Sequence, residues 1–141
     1  IYGLAHNVIK LEKHKGREMY VHRKGATRAF PDIPVLIAGT MGTSSYIMKG
    51  TEKAMEVTFG SSVHGAGRAM SRKKAIDSFR GKEVSDHLFS KGIVSKATSF
   101  KVLAEESPNA YKNVDEVIES VASAGISEKV AKLVPIGVIK G

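Results

Sequence analysis

The hydrophobic pattern of the chain changes near its middle, and this change constrains the fold more than any other feature. Up to about residue 59, apolar residues come in short runs separated by loops rich in Gly, Ser and Thr, a pattern that is typical of strands. Further along, apolar residues recur at three- and four-residue spacing with Lys and Arg between them, which is typical of amphipathic helices. Because helices and strands fall in mixed order, the sequence predicts an α+β fold.

The first half of the chain predicts a hairpin and three further strands. Residues 7–12 and 18–22 form the two arms of the hairpin, and the turn-like segment 13–17 joins them. The three further strands are predicted over residues 34–38, 44–48 and 55–59.

The second half predicts three helices and a final extended segment. One helix is indicated by apolar residues at i, i+3, i+4 and i+7 from Val114, after the potential N-cap Asn113 and before Gly125. The other predicted elements are a helix over residues 66–80 that ends at Gly81, a short helix over 83–90, and an extended segment over 133–140.

Length and composition exclude several classes of protein. A chain of 141 residues predicts one globular unit over residues 1–141. No apolar run approaches the roughly 20 residues that a membrane span needs. The chain has no cysteine, so it has neither disulfides nor a thiolate metal site. Its N-terminal residues lack the features of a signal peptide, and a reducing compartment such as the cytoplasm is expected.

The net charge of +8 favours a polyanionic partner, because Lys and Arg displace condensed counterions from phosphates. Composition alone also allows a cationic face that is merely exposed to solvent. The 14 glycines, nearly a tenth of the chain, exceed the usual ~7% and stand beside charged or hydroxyl residues. The charge must therefore be interpreted through particular segments.

The segment GSSVHGAGRAMSR, residues 60–72, places His64 between serines and glycines. Amides of a Gly-rich turn that enters a helix can bind an anion. Arg68 and Arg72 are expected on one face of that helix. This pattern indicates a phosphate-sized site with a nucleophilic imidazole at its edge. A tight turn in which His64 only hydrogen-bonds the backbone remains open, since the segment matches neither a Walker loop nor a dinucleotide fingerprint.

Three other features have two interpretations each. The block HRKGATR, residues 22–28, either converges its cations on a phosphate or is a solvated face. The loop GTMGTSS, residues 39–45, either offers hydroxyl and amide donors to a ligand or is an ordinary polar turn. His6, beside an apolar pair, is either structural or a metal ligand, and no HxH or HExxH spacing supports a complete metal site.

Six blocks stand out in order along the chain: AHN (5–7), HRKGATRAFP (22–31), GTMGTSSY (39–46), SVHGAGRAMSR (62–72), EESPNAYK (105–112) and PIGVIKG (135–141). Together, and over the whole length of the chain, these blocks resemble the RtcB family of RNA-splicing ligases.

The resemblance implies a ligase that joins an RNA 3′-phosphate or 2′,3′-cyclic phosphate end to a 5′-hydroxyl end with GTP and Mn²⁺. It implies that His64 attacks GTP, forms a covalent histidine–guanylate, and passes the guanylate to the RNA 3′-phosphate. This role suits an imidazole, which is a competent nucleophile where metal and cationic groups offset phosphoryl charge. The resemblance also implies that His6 is a Mn²⁺ ligand.

Further roles implied by the resemblance concern the nucleotide and the RNA. Tyr111 would stack on the guanine base, Lys140 would donate to its carbonyl edge, and Arg68 would lie near a phosphate or the RNA end. The basic block 22–28 would contact the RNA end or a phosphate. The positions implied to hold the guanine nucleotide are Ser45, Gly65, Ala66, Gly67, Arg68, Tyr111 and Lys140.

The chain departs from the resemblance in its length. Family members are several times longer, and their N-terminal portion supplies further metal ligands, including a cysteine, an aspartate and more histidines. The chain resembles the C-terminal portion alone, so it is expected to be inactive in isolation. Its expected partners are RNA, as tRNA halves or broken RNA ends, and the N-terminal portion of the same ligase.

The alternative function is a non-catalytic basic RNA-binding module in which His64 is structural. Against it, aromatic residues make up only 6% of the chain. They do not interleave with basic residues as in many single-strand binders.

Overall fold

The computed structural model, which describes Gly3 and residues 5–141, contains both strands and helices and confirms the predicted α+β class. The predicted unit over residues 1–141 also includes Ile1, Tyr2 and Leu4, which lie outside the described residues. The strands are β1 (Asn7–His14), β2 (Arg17–Lys24), β3 (Ala26–Arg28), β4 (Pro34–Ile37), β5 (Ser45–Gly50), β6 (Ser61–Val63), β7 (Val94–Ala97), β8 (Ser127–Leu133) and β9 (Gly137–Lys140). The helices are α1 (Glu52–Val57), α2 (Arg72–Ser78), α3 (Gly81–Ser90), α4 (Phe100–Glu105) and α5 (Val114–Ser123), with a 3₁₀ turn over Pro108–Ala110.

Strands β1 and β2 form the predicted hairpin, which is longer than the sequence indicated. They pair antiparallel from Asn7 opposite Lys24 to His14 opposite Arg17. The two-residue turn between them has left-handed backbone at Lys15 (φ 50°) and Gly16 (φ 79°), the geometry that matches the twist of a tight hairpin. The hairpin therefore leaves His6 directly before its first strand.

Strands β4, β5 and β8 form an antiparallel sheet in that order, and α5 packs against it. The strands predicted over 34–38 and 44–48 are thus confirmed. Helix α5 is also confirmed, because the Asn113 side chain caps it by accepting from the amide of Asp115. The buried side chains of this core are Ala29, Val35, Ile37, Tyr46, Met48, Ala66, Val114 and Ile118.

The segment with His64 is held by strand-type hydrogen bonds. Strand β6 pairs antiparallel with β3. Beyond β6, the amide of Ala38 donates to the carbonyl of His64 (3.1 Å), and the amide of Ala66 donates to the carbonyl of Ala38 (3.0 Å). His64 is therefore fixed from both sides by extended backbone.

The prediction of a helix over residues 66–80 is wrong in its first half. The amides of Ala69 and Met70 donate to the carbonyl of Ala110, at 2.8 and 3.3 Å, instead of to carbonyls one turn earlier. Helix α2 begins only at Arg72, after the N-cap Ser71, whose hydroxyl accepts from an amide of the first turn.

The prediction that Gly81 ends a helix is also wrong, because Gly81 is the first residue of α3. A Cβ atom there would lie 1.8 Å from the carbonyl oxygen of Phe100. Only glycine lets α3 approach α4 this closely. The helix predicted over 83–90 is confirmed as the rest of α3.

The prediction of a strand over residues 55–59 is wrong, since residues 52–57 form α1. The Thr51 hydroxyl caps this helix by accepting from the amide of Ala54, and it donates to the carbonyl of Gly125 (2.7 Å). The alternating apolar residues Val57 and Phe59 are exposed, and Ala54 is the buried residue. The contact that fixes the helix comes from a distant part of the chain.

The C-terminal part forms two strands instead of one extended segment. Strand β8 belongs to the central sheet, while β9 pairs in parallel with β7, and Lys140 stands opposite Ala97. Pro135, which has no amide hydrogen, lies in the break between them. Within the described residues, no helix is both long enough and apolar enough to cross a membrane.

Candidate nucleotide site

The imidazole rings of His6 and His64 are stacked. Their ring centroids are 4.5 Å apart and their planes differ by 8°. His6 is exposed at the start of the hairpin, and His64 is half-buried at the end of β6. The structure therefore brings together two residues that the sequence had treated separately, as a metal ligand and a nucleophile.

Gly25 lies against both histidines. Its amide donates to the carbonyl of His6 (2.8 Å). A Cβ atom on Gly25 would stand 3.8 Å from Cδ2 and Nε2 of the His64 ring. The glycine of the HRKGATR block thus forms the wall beside the Nε2 edge of His64.

The environment of His64 favours the neutral imidazole. Burial, followed by the charge of the adjacent His6, lowers the pKa of His64 below its ordinary value. A neutral imidazole keeps the lone pair that a nucleophile or a metal ligand uses.

The three residues after His64 run from the core to the surface. Gly65 bridges to Ala38, Ala66 is buried in the central core, and Gly67 is exposed. Gly67 has left-handed backbone (φ 73°), which a residue with a side chain adopts at a cost. The predicted Gly-rich turn into a helix is not formed, because Gly67 stands between the β-bridge residues Gly65 and Arg68 and no helix follows it directly.

Ser45 belongs to a loop that folds back on itself. Its hydroxyl accepts from the amide of Gly39 (3.1 Å), and the hydroxyl of Thr43 accepts from the amide of Thr40 (2.7 Å). A Cβ atom on Gly39 would lie 1.9 Å from the carbonyl oxygen of Ser44. The loop 39–45 therefore has a defined shape next to Ala38, the residue that holds the His64 segment.

Arg68, Tyr111 and Lys140 meet at one carboxylate, that of Glu106. Arg68 NH1 and Lys140 Nζ each lie 3.3 Å from a Glu106 oxygen, and the Tyr111 hydroxyl donates to Oε2 at 2.8 Å. The Arg68 guanidinium also stands over the Tyr111 ring, 4.8 Å from its centroid. We call these four residues the Glu106 cluster.

Charges within the Glu106 cluster stabilise each other. Burial alone would raise the pKa of Glu106, but the hydrogen bond from Tyr111 and the charges of Lys140 and Arg68 outweigh it and hold the pKa below its ordinary value. Burial and the neighbouring Glu106 raise the pKa of Tyr111, and Arg68 opposes them only in part. Tyr111 is therefore neutral at physiological pH.

The Glu106 cluster and the histidine pair are linked by a short piece of backbone. Arg68 follows His64 by four positions, which limits their Cα atoms to about 14 Å. The amide of Lys112 donates to the carbonyl of Gly67 (2.9 Å), and the backbones of Arg68 and Tyr111 form a β-bridge. The segment that carries His64 is therefore bonded directly to the segment that carries Tyr111.

The predicted pairing of Arg68 with Arg72 on one helix face is wrong, because Arg68 precedes α2. Its Nε donates to the carbonyl of Met70 (3.1 Å) and its NH2 to the carbonyl of Glu105 (2.6 Å). Arg72 is mostly exposed and lies 3.3 Å from the carboxylate of Glu105. The guanidinium of Arg68 is thus directed toward α4 and Tyr111.

A cleft of about 590 Å³ runs between α3 and the segment that follows α4. Tyr111 lines it, whereas His64, Ser45 and Lys140 lie outside its lining. This cleft therefore does not bring the expected nucleotide-binding residues together.

Arg23, in the basic block 22–28, is buried and ion-paired, so its charge is not exposed. Arg23 is 2% exposed, and its NH1 and NH2 donate to the two oxygens of Glu12, each at 2.8 Å. The expectation that the whole block 22–28 contacts RNA is therefore wrong for Arg23. His22 and Lys24 are exposed, and Arg28 is half-buried over the ring of Phe30.

The described residues do not form a metal site by themselves. Across Gly3 and residues 5–141, no three His, Asp or Glu side chains come together around one point. His6 provides one exposed imidazole. The donor set therefore fits a single ligand of a Mn²⁺ site and not the whole site.

Two residues have structural roles that the sequence analysis did not assign. Glu106 lay in a recognised block, but no local spacing links it to residues 68, 111 and 140. Arg23 was treated only as one cation of a basic block. The tertiary contacts of both residues are not encoded in a short motif.

Compared with known protein families, the whole chain, residues 1–141, matches the family described as tRNA-splicing ligase RtcB. Three proteins named tRNA-splicing ligase RtcB match over the full chain: 53% identity in Methanopyrus kandleri, 51% in Pyrococcus horikoshii and 52% in Archaeoglobus fulgidus. The chain belongs to the RtcB family.

The chain spans only part of these relatives. It covers 16% of the Methanopyrus kandleri protein, 18% of the Pyrococcus horikoshii protein and 33% of the Archaeoglobus fulgidus protein. The rest of each relative has no counterpart in these 141 residues.

Proposed function

We propose that the chain is the nucleotide-binding portion of an RNA ligase that joins an RNA 3′-phosphate or 2′,3′-cyclic phosphate end to a 5′-hydroxyl end with GTP and Mn²⁺. The observation that carries the proposal is the stack of His64 on His6 beside Gly25. The relatives' names add a role in tRNA splicing. The substrates are then tRNA halves or broken RNA ends, and the lack of cysteine favours the cytoplasm.

In this proposal His64 is the nucleophile. A neutral ring nitrogen attacks the α-phosphorus of GTP, the N–P bond forms, and the bond to the bridging oxygen breaks so that pyrophosphate leaves. The guanylate is then passed to the RNA 3′-phosphate. The lowered pKa of His64 supports this role, because the unprotonated ring is the reactive form.

The Glu106 cluster is proposed to hold the guanine end of the nucleotide. The Tyr111 ring offers an aromatic surface for stacking, and Lys140 offers a donor to the carbonyl edge of the base. The hydrogen bond and ion pair to Glu106 fix both side chains. Ser45 and the backbone of residues 65–67 are proposed to bind the phosphates, since Ser45 bonds to Gly39 and the 64–66 backbone bonds to the adjacent Ala38.

His6 is proposed as one Mn²⁺ ligand, with the remaining ligands outside these 141 residues. A bound Mn²⁺ would offset negative charge on the phosphoryl oxygens. An exposed, single imidazole suits a site that is completed by another part of the ligase.

The remaining portion of the ligase is proposed to cover the outer face of the β1–β2 hairpin. Ile9, Leu11 and Tyr20 point outward there and are 59%, 54% and 70% exposed. Leu11 stands opposite Tyr20 in the register, so these side chains form one apolar surface. Large apolar side chains grouped in this way are typical of an interface. His6 lies directly before the hairpin, so the same contact would bring the remaining Mn²⁺ ligands near His6.

The proposal is tested by guanylate transfer to the protein. The chain is combined with the complementary portion of an RtcB ligase, supplied with GTP and Mn²⁺, and examined by intact mass and peptide mapping. One guanylate on His64 is expected in the wild type and none in His64→Asn. The matched control is His87→Asn, at an exposed histidine of α3, which should react like the wild type. No adduct in the completed wild-type protein would refute the ligase assignment, and an adduct elsewhere would refute the role of His64.

The net charge of +8 supports the alternative of a non-catalytic RNA-binding module. The ligase and the RNA-binding module differ in the effect expected from replacing His64. If His64→Asn abolishes the adduct and leaves RNA affinity unchanged, the binding module is excluded. If the wild-type complex binds RNA and forms no adduct, the binding module is favoured.

A further inference from the structure

The buried side chain of Arg23 connects the hairpin to the turn that leads to His64. Besides the two bonds to Glu12, its NH2 donates to the carbonyl of Phe59 (2.8 Å) and lies 3.3 Å from the carbonyl of Gly60. Its Nε donates to the hydroxyl of Ser61 (2.9 Å). One guanidinium therefore joins two segments that are far apart in the sequence.

We propose that Arg23 is a positioning residue that holds the turn 59–61 against the hairpin and thereby sets the stacking of His64 on His6. The inference deepens the proposed function, because it concerns the two rings assigned to the reaction. In this inference, Arg23 acts through the backbone that carries the two rings.

The connectivity shows how Arg23 reaches both histidines. On one side, Arg23 is two residues before Gly25, whose amide holds the carbonyl of His6. On the other, the turn continues directly into β6, which ends one residue before His64. The position of the turn relative to the hairpin thus determines the position of one ring relative to the other.

The turn 59–61 has a conformation that needs an external partner. Phe59 (φ 52°) and Gly60 (φ 59°) are both left-handed, which is costly for a bulky residue such as phenylalanine. A Cβ atom on Gly60 would lie 2.6 Å from two ring atoms of Phe30. This backbone turns both carbonyls toward Arg23, and their hydrogen bonds favour a conformation that is otherwise unfavourable.

The contacts of Arg23 require arginine in particular. Its planar fork lets NH1 and NH2 bind the Glu12 carboxylate while NH2 also binds the Phe59 carbonyl and Nε binds the Ser61 hydroxyl. Lysine keeps the charge but has a single nitrogen, which cannot reach both the Glu12 carboxylate and the Phe59 and Ser61 acceptors. The carboxylate is also fixed by His14, whose Nε2 lies 3.1 Å from Glu12 Oε2. Lysine at position 23 should therefore stay paired with Glu12 and release the turn.

The test is an NMR comparison of the 141-residue chain as wild type and Arg23→Lys, with histidine-labelled protein. In the wild type, ring stacking at 4.5 Å predicts an NOE between the His6 and His64 ring protons and upfield ring-proton shifts. In Arg23→Lys, we expect at least a twofold weaker NOE and shifts closer to those of free histidine. The control is Arg17→Lys, the same change at an exposed arginine of the same strand, which should resemble the wild type.

A second variant keeps the inference testable if Arg23→Lys does not fold. Ser61→Ala removes one acceptor of Arg23 and leaves the Glu12 pair intact, so a smaller change in the same direction is expected. In the completed ligase, Arg23→Lys should slow guanylylation about 10- to 100-fold at saturating GTP. The KM for GTP should change less than twofold, because Arg23 does not touch the nucleotide.

Two results would overturn the inference. One is a folded Arg23→Lys or Ser61→Ala protein with a wild-type NOE and wild-type His64 shifts. The other is a KM effect as large as the rate effect. Absence of any adduct in the wild-type ligase would instead refute the proposed function, and the NOE would still decide the role of Arg23.

Discussion

Replacing Glu106 with glutamine should destabilise the chain, because Glu106 is the common partner of three side chains. The carboxylate accepts from Tyr111 and Arg68 and pairs with Lys140, at 2.8, 3.3 and 3.3 Å. Glutamine keeps the shape and one acceptor oxygen but loses the charge and the second acceptor. A hydrogen bond to a charged group is worth roughly 1.5–3 kcal/mol, while the longer ion pairs near the surface add less. The expected loss is about 2 kcal/mol.

The assay is urea unfolding followed by far-UV circular dichroism at pH 7, with thermal unfolding as a check. For a chain of 141 residues, a loss of about 2 kcal/mol lowers Tm by roughly 6 °C. The matched control is Glu105→Gln, the same change at the adjacent last residue of α4. That carboxylate pairs with Arg72, whose side chain is 74% exposed, so its loss should change stability by about 0.5 kcal/mol or less.

The stability difference between wild type and Glu106→Gln should depend on pH in a defined direction. The pKa of Glu106 in the folded chain lies below the ordinary value of 4.5. Its stabilising contribution is therefore complete above that value and is lost as the pH falls through the lowered pKa. The difference between wild type and Glu106→Gln should be largest near pH 7 and vanish in acid. Equal stabilities for Glu106→Gln and Glu105→Gln at pH 7, or a difference that is unchanged at pH 3, would refute the reasoning.

Further predictions concern the buried side of α3, the 39–45 loop and RNA binding. Leu88→Ala removes a fully buried side chain of α3 and should cost about 2–5 kcal/mol in urea unfolding, whereas Phe89→Ala, at a 79% exposed neighbour, should cost less than about 1 kcal/mol. Gly39→Ala places Cβ 1.9 Å from the carbonyl oxygen of Ser44 and should shift the amide resonances of the whole loop, whereas Gly137→Ala, with its nearest atom at 3.5 Å, should not. RNA affinity of the chain should fall steeply with salt, as a linear decrease of log K with log salt concentration, and a flat dependence would contradict phosphate binding by its basic residues.

The elements that could be predicted are those fixed by local interactions. Helix α5 has its apolar stripe, its Asn113 cap and its C-terminal Gly125 within one short segment, and all three act as predicted. The hairpin likewise depends on its own two-residue turn. The error at residues 55–59 has the opposite cause, because Thr51 both caps α1 and binds the carbonyl of Gly125, far along the chain. An alternating pattern could not reveal a contact of that range.

The candidate site also has one aspect that could be predicted from the sequence and one that could not. Motifs identified the residues, since His6, His64, Arg68, Tyr111 and Lys140 all stand in blocks that the family resemblance marked. Their grouping could not be predicted, because the stack of His64 on His6 depends on strand pairing between distant segments. The central position of Glu106 is a tertiary property as well.

The basic residues show why charge in a sequence is a poor measure of charge at a surface. Arg23 and Lys24 are adjacent in a motif and equal in formal charge. Alternation along β2 buries the first against Glu12 and exposes the second. A buried, paired guanidinium releases no counterions when RNA binds, so it adds nothing to the salt dependence of affinity. Arg68 is similarly occupied by Glu106 and by the carbonyl of Glu105. In this chain, therefore, Arg23 and Arg68 belong to motifs that resemble phosphate-binding segments but make internal contacts. Exposed cations such as Lys24 remain to contact a polyanion.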